Sequence, residues 1–203
     1  DVGGLAGGVR GSGAVNASTA NSSVSGDTSV GGFVGSMSIR VANVEDSVAR
    51  STVEGTTDVG GFAGTVSASS IERSTASGSV TGTNSVGGFV GTLTNGPNEY
   101  NGTIEDSLTT TTVEGIEDGQ EVGGLVGTLR NGSVSTSYAS GTITGSSNQI
   151  GGLVGSSTDS SVISSYWDTE AIGLDRSSGG TGLKTSQMLG EAAETNMTGL
   201  SFD

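Results

Sequence analysis

One hexapeptide recurs six times in the 203 residues: VGGLAG from Val2, VGGFVG from Val30, VGGFAG from Val59, VGGFVG from Val86, VGGLVG from Val122 and IGGLVG from Ile150. The starts lie 28, 29, 27, 36 and 28 residues apart. A fixed period of this size outranks local propensity as a guide to fold, because it implies one supersecondary unit stacked on copies of itself. The composition agrees with a linear stack better than with a globule: 31% of residues are hydrophobic and 4% aromatic, thin for a single compact core. Disorder is the competing reading of a Gly/Ser/Thr-rich chain of net charge −14. Disordered segments, however, seldom keep Val, Phe and Leu in strict register.

A second block follows each hexapeptide, starting at Val15, Val44, Ile71, Ile104, Val134 and Val162. Three residues on is always serine: Ser18, Ser47, Ser74, Ser107, Ser137 and Ser165. Five on is Ala20, Ala49, Ala76, Thr109 or Ala139, and nine on is Val24, Val53, Val80, Val113 or Ile143. Odd offsets share one strand face because side chains alternate with period two. That face of small and branched apolar residues is assigned inward. Offset eight carries Ser23, Thr52, Ser79, Thr112 and Thr142, an outward hydroxyl ladder. Gly26, Gly55, Gly82, Gly115 and Gly145 close the block, where a corner needs a positive φ or a close backbone approach. The larger apolar side chains, Leu5, Phe33, Phe62, Phe89, Leu125 and Leu153, follow each Gly pair. The pair is expected to bend the strand so that both Val30 and Phe33 point inward.

These features predict an all-β chain: a parallel β-solenoid (β-helix) of about six coils of 27–36 residues with a short C-terminal capping helix. Residues 1–165 would form the repeat solenoid and 166–203 an atypical terminal repeat with a helical cap. Like residues then stack about 4.8 Å apart. Each coil is stabilised by its neighbours and would not fold alone.

The hexapeptides, the serine-containing block and the ending SYWDTEAIGLDRSSGGTGLKTSQM closely resemble the GLUG-repeat family of bacterial and archaeal surface proteins. The stretch with Tyr166, Trp167, Asp168 and Gly179-Gly180-Thr181-Gly182-Leu183 is distinctive by itself. The resemblance implies a secreted or cell-wall adhesin-like glycoprotein and carries over no catalytic residue.

Twenty-one acids stand against six Arg and the single Lys184. This excess argues against a nucleic-acid partner. With so little Lys it resembles halophilic, haloarchaeal proteins, in which roughly 1 M salt screens self-repulsion over about 3 Å. There is no Cys and no His, which removes thiolate and imidazole catalysis and metal sites built on them. No apolar run reaches membrane-span length. The carboxylate-bearing pairs Glu45-Asp46, Glu72-Arg73 and Glu105-Asp106 occupy one repeated corner, which repetition explains better than a unique active site. The expectation is no enzyme and no cofactor.

Trp167 stands at offset five of the last repeat and reads as a plug over the core, with a sugar-stacking ring as the other reading. Thr185 to about Met197 reads as one amphipathic helix, with Thr185 as its N-cap. The first coil shows no comparable cap, which motivates end-to-end stacking into a fibre. The long 36-residue interval holds insertions near Asn95 to Asn101 and Gly115 to Glu121, expected as loops. Glu114, Glu117, Asp118 and Glu121 offer oxygen ligands for Ca²⁺, or form a solvated acidic loop. Sequons at Asn16, Asn21, Asn101, Asn131 and Asn196 are N-glycan acceptor candidates.

The leading functional expectation is a structural or adhesive rod at the cell surface, either a stalk or a subunit of an extracellular filament. Its partners would be further subunits or surface glycans. The alternative is a glycan-binding or polysaccharide-processing β-helix module.

Overall fold

The computed structural model of the chain describes residues 1–38, 42–96, 100–145 and 149–200, and of 117–120 the backbone alone. It is an all-β parallel β-solenoid. One coil shows the plan: strands Thr57–Gly60, Ala63–Ser67 and Ser70–Glu72 lead into Thr75–Gly87, which re-enters the next hexapeptide. Strands like Ala63–Ser67 stack into one six-stranded sheet and strands like Ser70–Glu72 into a second, while the remaining segments form a larger third sheet. Every pairing is parallel and in repeat register, for example Val34 with Ala63 with Val90, and Val44 with Ile71 with Ile104. Backbone groups left open within one coil are thereby satisfied by the next.

The alternation predicted for the second block holds in Val48–Glu54. Ala49, Ser51 and Val53 are buried, and Arg50, Thr52 and Glu54 are exposed. Val53 lies beyond the main core, however. Val30, Val53, Val59, Val80, Val86, Val113 and Val122 form a valine cluster separate from the one holding Phe33, Met37, Val44 and Ala49. The expected bend at the Gly pair therefore buries Val30 and Phe33 in two compartments. Glycine is required at the divide: a Cβ on Gly32 would lie 2.1 Å from the Gly61 carbonyl oxygen and 2.8 Å from Ser51 Cβ. Ser51 Oγ donates to the Gly32 carbonyl at 3.1 Å, so the partition is hydrogen-bonded as well as close-packed.

The main compartment is built from files of like residues. Phe33 stacks on Phe62 with centroids 4.7 Å apart, and Phe62 on Phe89 at 4.9 Å. Such aromatic contacts contribute ~0.5–1.5 kcal/mol beyond burial. A second file of Met37, Val66, Leu93 and Leu129 is fully buried beside it. Seven residues separate each of these from the first hexapeptide residue of its coil, so the spacing was present in the sequence but went unread there.

The corner glycines divide between the two expected causes, positive φ and close approach. Among Gly26, Gly55, Gly82, Gly115 and Gly145, only Gly145 has positive φ. The others are needed for close approach, since a Cβ on Gly55 would meet Val59 Cγ2 at 2.8 Å. Left-handed backbone falls instead on non-glycine residues, with φ of 51° at Asp46, 44° at Arg73, 48° at Asp106 and 53° at Asp58. The second insertion is no loop: Thr112–Gly123 is one strand, and its extra residues form an irregularity between Gly115 and Gln120 opposite Gly82 and Asn84. Of the first insertion, residues 97–99 lie outside the described set, and Gly96 N–H donates to the Tyr100 carbonyl across it.

The single helix expected from Thr185 to Met197 is broken. A 3-10 turn spans Thr185–Gln187 and helix α2 spans Glu191–Asn196, with Gly190 between them at φ 54°. Thr185 is not the N-cap; its hydroxyl donates to Asp168. A further helix, α1 (Thr169–Ile172), follows Trp167 directly, N-capped by Asp168 and ended by Gly173 at φ 78°.

Candidate functional site

The invariant serine is explained by two hydrogen bonds. Each hydroxyl donates to the carbonyl two residues back, as from Ser47 to Glu45, Ser74 to Glu72 and Ser107 to Glu105, all at 2.8 Å. The same oxygen accepts the serine N–H of the preceding coil: Ser18 to Ser47, Ser47 to Ser74 and Ser74 to Ser107 at 3.2 Å, then Ser107 to Ser137 and Ser137 to Ser165. The hydroxyl closes the left-handed corner at the residue before it, which lets Asp46, Arg73 and Asp106 hold a conformation that ordinarily disfavours side chains.

A second polar file fixes the other left-handed corner. The residue before each of the first four hexapeptides bonds a hydroxyl on the hexapeptide sheet one coil further along: Asp1 with Ser36 at 2.8 Å, Ser29 with Thr65 at 3.0 Å, Asp58 with Thr92, and Ser85 with Thr128 at 2.9 Å. Among the described residues no buried side-chain polar atom lacks a partner.

The repeated acids lie where a fold corner puts them. Glu45, Glu72 and Glu105 are register partners, and Arg73 reaches Asp46 at 2.9 Å, Glu45, and Glu72 at 3.2 Å. Asp46 and then Glu45 raise the affinity of that guanidinium for its proton further above the ordinary arginine range. This is an ion-pair network on an exposed edge.

Of the proposed Ca²⁺ ligands, Glu114 is exposed and Glu121 half-buried at φ 56°, whereas the side chains of Glu117 and Asp118 lie outside the described residues. Among the described residues no three acids gather as a metal site would require. Of the sequon asparagines, Asn16, Asn21, Asn101 and Asn131 are exposed, while Asn196 is half-buried and its amide donates to the carbonyls of Ala192 and Gln187. The core residues Phe33, Phe62, Phe89, Leu125, Leu153, Val53, Val80 and Val113 are buried and Ile143 is partly so.

Trp167 occupies the register position of Ala139 and is 5% exposed. Its ring lies against Gly152 and Gly182, and its indole N–H donates to the Leu174 carbonyl at 3.0 Å. No exposed ring face is left for a sugar. Beyond it the chain crosses the end of the solenoid. Gly152 N–H donates to the Arg176 carbonyl, and Ser177 Oγ accepts from Leu153 N–H at 3.2 Å and Val154 N–H at 2.9 Å. Thr181–Leu183 then pairs with Tyr166–Asp168 as one more rung of the long sheet. Sequence reading placed the cap here but missed Ser177; the only signal was the break in period.

The opposite end has no such cover among the described residues. Leu5 is 50% exposed in a file whose next member, Phe33, is 0% exposed. No helix among the described residues is long and apolar enough to cross a membrane.

No curated protein and no solved structure matches the chain. Two segments, residues 55–81 and 118–144, match the GLUG motif. Each spans one hexapeptide and most or all of the serine-containing block that follows it, the unit that forms one coil. The chain is thus a β-solenoid that carries GLUG-type repeats.

Proposed function

We propose that this chain is a non-enzymatic structural element of a secreted or cell-surface protein, a rigid rod that holds adhesive or glycan-bearing surfaces away from the cell. The observation that carries the reading is the continuity of the inner files: the serine ladder runs unbroken from Ser18 to Ser165. Among the described residues consecutive coils share this serine file and the in-register parallel strand pairing, which favours a stiff rod.

The outer surface suits such a role. Exposed hydroxyls on the long sheet bond along the rod axis, Thr142 to Thr112 at 3.3 Å and Ser79 to Thr52 at 3.5 Å. They present a hydrated face of short side chains. The covered C-terminal end favours a stalk over a filament grown by coil-on-coil stacking, because Arg176, Ser177 and Thr181 already occupy the hydrogen-bonding groups a next copy would need.

Antibody labelling of intact source cells tests the location. Label on unpermeabilised cells, removed by external protease, is the expected result. Label that appears only after lysis would overturn the proposal.

A further inference from the structure

Helix α1 enters the main core through Ile172, whereas the 3-10 turn Thr185–Gln187 and helix α2 pack on the outside of the long sheet. Tyr166, Leu183, Ala193 and Met197 form a third apolar cluster there, joined by Tyr138, Met188 and Leu200. Where they meet the sheet they leave a groove of about 730 Å³, within the range of small-molecule sites. Leu108 and Tyr138 form its sheet side, and Met188, Leu189, Met197 and Leu200 its cap side.

The polar groups in the groove have one sign. Asp106 stands at its rim and Asp168 at its lining, and no Lys or Arg lines it. Asp168 is fully engaged by the Glu170 and Ala171 amides and the Thr185 hydroxyl. Asp106 differs: among the described residues its carboxylate has no hydrogen-bond or ion-pair partner, whereas Asp46, at the same corner two coils earlier, is held by Arg73. The Tyr138 hydroxyl also has no hydrogen-bond partner among the described residues. An unpaired carboxylate next to a tyrosine ring, above thioether and leucine walls, is complementary to a positive charge carried on an apolar body.

We propose that this groove binds an amphiphilic organic cation, its apolar body between Leu108 and the Met188–Leu189 wall and its ammonium or guanidinium group beside Tyr138 and Asp106. A neutral saccharide would use the hydroxyls of Thr136 and Ser140 but leave the aliphatic and thioether wall without a partner. An anion would face two carboxylates in a chain of net charge −14.

Three amphiphiles with one tail and different heads test this below their micelle concentrations: octyltrimethylammonium, octyl glucoside and octanesulfonate. The readout is the ¹³C-methyl NMR of the protein's three methionines. Met188 and Met197 line the groove, and Met37 is fully buried in the distant second coil as an internal control. The expected result is a saturable shift of Met188 and Met197 with the ammonium compound, weaker with the glucoside and weakest with the sulfonate, while Met37 stays fixed. Asp106→Asn should weaken the ammonium compound by about threefold to fivefold. Glu105→Gln makes the same change in net charge outside the groove and should leave binding as it was. Equal affinity for all three heads, preference for the glucoside, an equal loss in both variants, or no saturable shift would each overturn the proposal; an unmoved Met37 resonance in the variants shows that they fold.

Discussion

The middle coils and the C-terminal cap meet the same requirement with different chemistry. In every inner coil, the N–H groups of the fourth and fifth hexapeptide residues converge on one carbonyl of the next coil: Phe33 and Val34 on Phe62, Phe62 and Ala63 on Phe89, Phe89 and Val90 on Leu125. At Leu153 and Val154 no further hexapeptide follows, and Ser177 Oγ stands where that carbonyl would be. The comparison extends across the rung. Thr181 N–H bonds the Ser165 carbonyl as Tyr166 bonds Ser137 and Tyr138 bonds Ser107. The cap is therefore a coil imitated by non-repeating residues, and what a solenoid end demands is the hydrogen-bond pattern, with sequence free to vary.

The largest effect that separates the regions should come from their apolar files. Phe62→Ala removes a ring stacked on both sides at the centre of the main compartment, and should cost about 3–5 kcal/mol. Trp167→Ala removes more volume from a place where only one side is backed by solenoid coils. We expect Phe62→Ala to lower the denaturant midpoint of the whole rod, and Trp167→Ala to release the segment from Leu174 onward at lower denaturant than the inner coils, seen as a second transition by hydrogen exchange. A single shared transition for both variants would show that cap and coils unfold as one unit.

Next in size are the two serines with matching roles. Ser107→Ala leaves the buried Ser74 N–H without its acceptor, at about 1–3 kcal/mol. Ser177→Ala strands the Leu153 and Val154 amides by a similar amount. Amide exchange should rise locally at residues 153 and 154 for Ser177→Ala and leave coils two to four protected. Ser18→Ala in this 203-residue chain is the internal control: among the described residues its oxygen accepts no N–H from another coil, and it should cost less than Ser107→Ala. Equal losses for Ser18 and Ser107 would mean that the ladder bond between coils contributes nothing.

This division tracks what was legible in the sequence. The coils could be read because period two within a strand and a period near 28 between coils place each residue in the same environment six times, so Ser47, Phe62 and Val80 each stand for a file. The two compartments could not be read. Val30 and Phe33 are both apolar, and pattern alone does not record that Gly31-Gly32 comes up against Ser51 and divides them. The cap was legible only as an interruption. Ser177, Asp168 and Gly173 act once each, and a residue used once has no copy against which to read it. The helix expected from Thr185 failed for a local reason, since the Thr185 hydroxyl is taken by Asp168 and Gly190 adopts a left-handed φ within the apolar pattern.

The smallest expected effect concerns charge. Arg73 joins Glu45, Asp46 and Glu72 across adjacent coils, whereas exposed Arg50, on the outer face of the long sheet, makes no ion pair among the described residues. Both Arg73→Ala and Arg50→Ala take the net charge from −14 to −15, so long-range self-repulsion rises equally. Only Arg73→Ala also leaves three carboxylates adjacent with no cation between them. In low salt the Arg73 variant should therefore melt below the Arg50 variant. In about 1 M salt, where the screening length falls to about 3 Å, the two should converge on the parent chain. If the gap between them survives high salt, Arg73 acts through packing of its aliphatic stem against the corner. If no gap exists in low salt, the network is a surface ion-pair cluster of no energetic consequence, and the acidic corner of the inner coils holds together by the serine ladder alone.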